Sequence, residues 1–594
     1  MQPIKIGERK MQNILLDTLP IWTTAQAQKT SNRGISASNQ QLLGIQKLRE
    51  LILELAIRGK LVHQDPNDEP AMLLLKKIEA EKKRLIKVGK IKKQVALSEV
   101  EEGEKLFQMP KGWEWVKIGN IGYTQTGGTP SKNNNSFFGE DIPFIKPGDI
   151  YPNEVDYFNE GLSFKGADSL GRSANEGSIL MVCIGTIGKC NLIDRTCAFN
   201  QQINSISPYH SISGYLLLSL RSKYFQDTAW EKSSSTTIAI LNKGKWENIG
   251  IPLPPLSEQH RIVAKVDELM SLCDELENEQ TNSNRAHEML VEVLLGTLTN
   301  AKNSYDFKEA WQRIAACFDT LFTTEHSIDK LKQTILQLAV MGKLVPQDPN
   351  DEPASELLKK IAKEKARLVK EGNIKKQAEI SEITEEEKPF ELPKGWEWVR
   401  FSQIGENSKN AFKAGPFGSA LKKDMYVETG YKIYGQEQVI SGDENLGDYF
   451  INQEKYNSLE SCAIKSGDIL ISLVGTIGKV LIISDNCQPG IINPRLVKLS
   501  LYKDVFRPYI QLMLSSILIQ DELKDKSHGG TMNILNLGLI KELIFPLPPI
   551  VEQSRIVSKI DELFALCDSL KGRIREAQVI KNVLAEEIVR RVVR

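Results

Sequence analysis

Apolar residues recur at three- and four-residue steps in several stretches of this chain, the spacing that gathers them on one side of a helix. Leu48, Leu51, Ile52, Leu55 and Ala56 form one such stripe and predict an amphipathic helix over residues 48–57, closed by Gly59 as its cap. A turn-rich corner at 64–70 follows, because Asp-Pro and Asn-Asp disfavour helix. Residues 71–87 open a second helix whose polar side carries Lys76, Lys77, Lys82, Lys83, Arg84 and Lys87. Interspersed Glu79 and Glu81 suit a solvated or partner-facing helix better than a phosphate-binding one. The acidic stretches at 99–104 and 382–387 read as linkers. Short apolar runs such as 178–184 and 468–474, set among Gly, Pro and Asn, read as strands, with helices at 215–230 and 506–523. Near the end, Ile556, Ile560, Leu563, Cys567, Leu570 and Ile574 alternate four and three apart, a coiled-coil seam. Ile262, Val266, Leu269, Cys273 and Leu276 repeat it before a polar patch at 280–284.

The second seam belongs to a wider duplication. Gly59-Lys60-Leu61-Val62 recurs at Gly342, the heptapeptide 64–70 recurs unchanged at 347–353, and Pro110-Lys111-Gly112-Trp113-Glu114-Trp115 recurs at Pro393, all at an offset of 283 residues. The likeness fades after the tryptophans, resurfaces at Gly185-Thr186-Ile187-Gly188-Lys189 and at 475–479, and returns at Pro252-Leu253-Pro254-Pro255 and 546–549. Glu258-Gln259-His260-Arg261-Ile262-Val263 then matches 552–557, and Leu272-Cys273-Asp274 matches 566–568. Each copy therefore has near-identical ends around a divergent middle. Surfaces that meet two copies of one partner stay alike, whereas surfaces that meet two different targets drift apart.

Composition narrows the class. The 594 residues exceed a single core. With 76 basic and 76 acidic side chains the formal charge is zero, which argues against a polycation coating nucleic acid but not against local phosphate contacts. No stretch reaches the roughly 18–20 apolar residues of a membrane span. Residues 1–17 mix Lys5, Glu8, Arg9 and Lys10 with short apolar pieces, unlike a signal peptide, so a cytoplasmic location is expected. Cys183, Cys190, Cys197, Cys273, Cys317, Cys462, Cys487 and Cys567 form no CxxC pair, and read as buried small hydrophobes rather than metal ligands.

Catalytic patterns fail one by one. The Gly185–Lys189 loop lacks the Gly and Ser/Thr positions of a phosphate-binding Walker loop, and reads as a tight turn between strands. Asn493-Pro494-Arg495-Leu496 lacks the second proline and the aromatic residue of an amino-methyltransferase motif. None of the six histidines forms HExxH, and no trusted carboxylate cluster offers a metal site.

The segment 252–263 with Asp267-Glu268-Leu269, and its copy at 546–563, closely resembles the boundary after a target-recognition domain in the specificity subunits of type I restriction–modification systems. Gly127-Gly128-Thr129-Pro130-Ser131, residues 142–150, Gly415-Pro416-Phe417-Gly418-Ser419 and the 475–479 loop resemble that family's recognition domains. The likeness runs from about residue 40 to the end, and the repeated 59–70 segment fits the family's longer variety. It implies a non-catalytic chain that binds no cofactor itself and reads a bipartite double-stranded DNA target. It also implies two modification subunits that use S-adenosylmethionine to methylate adenine, and restriction subunits that use ATP and Mg. A scaffold displaying two duplicated domains to protein partners is the rival, favoured by the neutral charge.

The expected fold is mixed α/β with an internal pseudo-twofold repeat. Residues 1–110 are a helical region for partner docking, 111–255 a first recognition domain and 256–300 a spacer helix. A second helical region at 301–395, a second recognition domain at 396–549 and a second spacer helix at 550–594 repeat the order. The repeated 48–70 and 331–353 segments, with the long helices, are expected to dock the modification subunits. Reading bases needs side chains aimed into a groove, with hydroxyls, lysines and backbone amides fixing register on phosphate. The candidates are Thr126, Gly127, Gly128, Thr129, Ser131, Lys132, Asn133, Lys146, Lys189, Ser234 and Thr236 in the first domain. Lys413, Gly415, Ser419, Lys422, Lys423, Gln436, Lys479, His528 and Thr531 are those of the second, with Gln438 beside them. Paired spacer helices of about 40 residues, about 60 Å long, would act as a ruler between two readers. Adding about four residues in register to both, about 6 Å, should lengthen the preferred gap between methylated half-sites; an unchanged gap would reject the ruler.

Overall fold

The computed structural model describes residues 22–23, 43–95, 97–131, 133–234, 238–372, 382–406, 408, 410–473, 478–525 and 537–593. The chain divides into two compact units, residues 1–283 with 577–594 and residues 284–576. Each is assembled in the same way.

In the first unit the amphipathic stripe forms a helix at Leu43–Ile57, starting five residues earlier than its predicted 48–57, with Ile45, Leu48, Leu51, Ile52 and Leu55 buried. Gly59 ends it at φ +63, where a side chain is strained and a Cβ would lie 2.3 Å from Pro110 Cγ. The second helix spans Ala71–Lys87. Three cations of its basic side are paired locally, Lys77–Glu69 at 2.5 Å, Lys83–Glu79 at 2.7 Å and Arg84–Glu81 at 2.7 Å. The acidic stretch read as a linker folds into a short turn at Glu102–Glu104, and its repeat at Glu385–Glu387 brings Glu387 to 2.8 Å from the buried Arg400 guanidinium.

Each recognition domain enters and leaves through one antiparallel strand pair, Glu114–Lys117 with Gly250–Leu253 in the first and Glu397–Arg400 with Ile544–Leu547 in the second. Between these ends the first domain forms a four-stranded antiparallel sheet in the order Gly122–Thr126, Ile203–Pro208, Ile179–Val182, Cys190–Leu192. A three-stranded sheet joins Gly161–Leu162, Phe138–Ile145 and Ala198–Phe199, the last pair parallel. The second domain repeats both sheets, as Phe412–Ala414, Leu496–Leu499, Ile469–Ser472, Val480–Ile482 and as Phe450–Ile451, Tyr431–Tyr434, Gly490–Ile492. The divergent middles thus share one topology. Each single helix predicted late in a domain is two. Ser222 separates Ser213–Arg221 from Lys223–Lys232, its hydroxyl donating to Ser219 O at 2.7 Å, and Ser516 separates Arg507–Ser515 from Ile517–Asp525 in the same way.

The long helices span Leu256–Thr299 and Ile550–Val593. Their seams turn inward as predicted, each within its own unit. In the first unit Ile262, Val266 and Cys273 share a core with Ile45, Leu48, Leu51 and Leu55 of the first helix and with Ala585 near the chain's end. Arg49 on that helix pairs with Asp274 at 2.7 Å and Glu277 at 2.9 Å. In the second unit Ile556, Ile560 and Cys567 share a core with Ile328, Leu331, Ile335 and Leu338 of the helix Glu325–Val340, and with Val291, Leu295 and Leu298 from the end of the first long helix. Lys332–Asp568 at 2.5 Å, Lys571–Asp329 at 2.7 Å and Arg575–Glu325 at 2.6 Å run antiparallel along that contact.

The repeated sequence blocks meet in a buried clasp. Glu258, 1% exposed, accepts from Trp113 Nε1 at 3.0 Å and from Gln64 Nε2 at 3.1 Å. Gln64 also donates to Gly59 O at 2.6 Å, Gln259 to Pro254 O at 2.9 Å, and Arg261 pairs with Asp68 at 2.6 Å. The second unit repeats every contact: Glu552 with Trp396 at 3.0 Å and Gln347 at 3.2 Å, Gln347 with Gly342 O at 2.6 Å, Gln553 with Pro548 O at 2.8 Å, and Arg555 with Asp351. Besides any contact with a partner, these alike blocks have a role of their own: the apolar face of Leu43–Ile57 and the clasp residues are used inside each unit.

Burial raises the Glu258 carboxyl above its ordinary value, against the pull of its two donors. Its protonated form is thus favoured by folding, so this group's contribution to stability is full below the ordinary carboxylate range and is lost as pH rises through the raised value. Glu258→Ala leaves the Trp113 indole N–H without an acceptor, costing about 1–3 kcal/mol, while the Gln64 amide keeps Gly59 O. It should lower the unfolding midpoint of the first unit in the full chain while the second unit's transition stays put; an unmoved first transition would show that the clasp carries no stability.

Candidate nucleic-acid interface

Main-chain hydrogen bonds gather the loops of the first recognition domain along one sheet edge. The N–H groups of Gly127 and Gly128 donate to Ile203 O and Phe199 O, both at 3.0 Å. Cys183 N–H donates to Gln202 O at 2.8 Å, Gly185 N–H to Ala239 O at 3.0 Å, and Asn200 N–H to Ile145 O at 3.0 Å. The 127–131 loop, the 183–189 turn, the 199–203 loop, the start of 146–149 and the 238–241 return therefore adjoin one another. In the second domain Gly415 N–H donates to Leu496 O at 2.9 Å, Leu473 N–H to Arg495 O at 2.8 Å and Asn493 N–H to Tyr434 O at 2.8 Å, building the matching edge.

The individual candidates divide. Gly127 is buried, and a Cβ there would lie 2.1 Å from Asn200 O; at Gly415 it would lie 1.8 Å from Asn493 O. Both glycines pack tightly against backbone, which leaves no room for a larger residue at either place. Lys146 pairs with Glu160, and Lys189 donates to Pro147 O at 2.9 Å with its ammonium 5.3 Å from the Tyr151 ring. Both cations are thus engaged within the domain. Gln438 is buried and accepts from Gly435 N–H at 2.7 Å, a structural post rather than a reader, while Gln436 opens the helix Gln436–Ser441. Thr126 donates to Asn204 Oδ1 at 2.8 Å, and Thr129 donates to Gln201 Oε1. Gly128 is half-buried against Leu170, and Lys413 is half-buried in its strand. Ser131, Asn133, Ser234, Ser419, Lys422, Lys423 and Lys479 are exposed. Lys132, Thr236, His528 and Thr531 lie outside the described residues.

Residues outside the sequence candidates also stand on these edges. Arg172 donates to Thr126 O at 3.2 Å and Gly127 O at 2.9 Å, bringing a positive charge to the loop. Asn493-Pro494-Arg495-Leu496, set aside as a broken methyltransferase motif, is the loop that faces Gly415. The Gly185–Lys189 stretch is the tight turn expected, joining antiparallel strands with Gly185 at φ +83 and Gly188 at φ +97. Gln226 braces it by donating to Gly188 O at 3.0 Å, as Gln520 does to Gly478 O at 2.9 Å. Burial pushes the thiols of Cys183 and Cys197 up to about 12, consistent with packing roles. Among the described residues no three His, Cys, Asp or Glu side chains gather as a metal site, and no helix is long and apolar enough to cross a membrane.

Residues 110–283 and 393–579 match the family model of the type I restriction modification DNA specificity domain. Over 598 residues the chain is 40% identical to the type I restriction enzyme EcoAI specificity subunit of Escherichia coli, spanning 97% of this chain and 99% of that protein. It is 36% identical over 600 residues to the EcoEI specificity subunit of the same organism, with 97% and 99% spanned. The chain belongs to the type I restriction–modification specificity subunits. Each family match in this specificity subunit starts at the proline that closes over the Gly59 or Gly342 cap, and runs past the recognition domain into the long helix. The helices preceding each domain precede both family matches as well, yet they fall within the alignments to the EcoAI and EcoEI subunits.

Because Gly127 and Gly415 pack against backbone, Gly127→Ala or Gly415→Ala should behave as a folding lesion. The expected result is a lower thermal midpoint of the affected unit, read by calorimetry in the absence of DNA; an unchanged midpoint with weakened DNA binding would instead return these glycines to the contact surface.

Proposed function

We propose that this specificity subunit reads a bipartite double-stranded DNA target, one half-site per recognition domain, and directs partner subunits that methylate adenine or cleave DNA. The observation that carries this is the duplicated loop edge: two domains of one topology present equivalent loops whose side chains differ, inside a chain of the specificity family. Exposed hydroxyls, amides and Lys422, Lys423 and Lys479 supply positioning contacts to phosphate. With the chain's net charge at zero, much of the cationic clamp comes from the partners.

The modification subunits dock on the exposed apolar residues of the long helices. Leu272 and its repeat Leu566 are 46% and 58% exposed, and Leu290 and its repeat Leu584 are 50% and 44% exposed. Each patch occurs once per repeat, which suits two copies of one partner. S-adenosylmethionine would be held by the modification subunits, and ATP and Mg by the restriction subunits, leaving this chain to recognise and to position.

Mapping methylated adenines across a known genome, with the chain expressed beside its modification subunit, should return one two-part motif with a fixed unread gap. Leu290→Glu combined with Leu584→Glu should leave the chain folded and abolish assembly and methylation. An assembled, folded complex that bound DNA without salt dependence and left no methylation would favour the protein scaffold instead.

A further inference from the structure

The two recognition domains hold one backbone frame and hang different side chains on it. Asn200 and Asn493 stand at the same place in that frame. Their side-chain carbonyls accept from the N–H of Gln202 at 3.0 Å and of Arg495 at 2.9 Å. Their own carbonyls accept from Ile203 N–H at 3.1 Å and Leu496 N–H at 3.2 Å. The carbonyls of Gln202 and Arg495 each accept from a strand-end N–H, of Cys183 and Leu473, at 2.8 Å. Facing them, Gly127 and Gly415 approach so closely that no side chain fits, which locks the spacing between the two loops. By this register Thr129 is equivalent to Phe417, Gln201 to Pro494 and Gln202 to Arg495.

All three positions differ in chemistry while the hydrogen bonds that hold them do not. Phe417 is 68% exposed although its neighbours Pro416 and Leu421 are buried, so the loop is anchored on both sides and presents an aromatic ring to solvent. Arg495 and Gln201 are exposed as well. A rigid frame with interchangeable, outward side chains is what direct readout of bases requires, since geometry must stay constant while donors and acceptors change.

We propose that positions 129 and 201 of the first domain and 417, 494 and 495 of the second are specificity-determining. Arg495 forks onto the O6 and N7 edge of a guanine, and Phe417 packs against a thymine methyl beside it. Gln201 places its amide on an adenine in the other half-site, while half-buried Gln202, whose Oε1 accepts from Asn200 Nδ2 at 3.1 Å, holds the loop beneath it. This rests on reading the chain as a DNA-recognition subunit.

The test is methylation mapping on the full chain with its modification subunits. Arg495→Ala should relax one guanine of one half-site, raising methylation at sites with another base there roughly tenfold or more, with the other half-site unaltered. Arg495→Lys should behave like the alanine variant, because lysine keeps the charge and loses the fork. Gln201→Ala should relax the opposite half-site, which makes the proposal independent of any one variant's folding. Wild-type motifs from all these variants would overturn the proposal and leave the recognition function standing. So would a uniform drop at every site with the motif unchanged. Absence of a bipartite motif from the unaltered complex would overturn both.

Discussion

A carboxylate almost sealed from water closes each recognition domain onto its helices. Glu258 and Glu552 are each 1% exposed, and each accepts from the indole of the tryptophan that opens the domain and from a glutamine of the preceding turn. A buried charge is tolerated only while its acceptor capacity is filled. The glutamate therefore holds three separated segments at once: the cap of the first helix, the entry strand and the start of the long helix. Because the entry and exit strands pair directly beneath it, the domain leaves its scaffold through one rigid stem.

That stem frees the middle of each domain to vary. The sheets behind it keep their order in both copies while the loops at their edges change composition. The clasp, the seams and the buried glycines support the fold, and exposed loop side chains face outward. The long helices extend the division, since each begins in one unit and ends in the other. Ala585 completes the first core, and Leu295 and Leu298 complete the second, so neither unit draws its core from one repeat alone.

Much of this was legible beforehand. The stripe at 48–57, the basic helix at 71–87, both seams and the tight turn at Gly185–Lys189 follow from local periodicity and turn chemistry, which neighbouring residues settle among themselves. The loops of the candidate surface were also legible, from the family likeness. Side-chain roles were not. Lys146 and Lys189 look like phosphate ligands by type, yet one meets Glu160 and the other a proline carbonyl. Gln438 looks like a reader and is a buried post. Arg495, dismissed with a failed catalytic motif, stands on the same edge as the glycine loop.

The sequence by itself determined that the chain is two copies of one design, with alike ends, unlike middles and long heptad-like helices, because repetition and periodicity are written in residue order. Only the tertiary structure decided what the alike ends do within each unit. Gln64, Trp113 and Glu258 lie far apart along the chain, and nothing in their spacing shows that one carboxylate accepts from both donors. It also decided which loops stand side by side, since strand register, not proximity in sequence, places residue 415 against residue 493. Long-range partners follow from the path of the backbone, and that path is set by the whole core rather than by any local pattern.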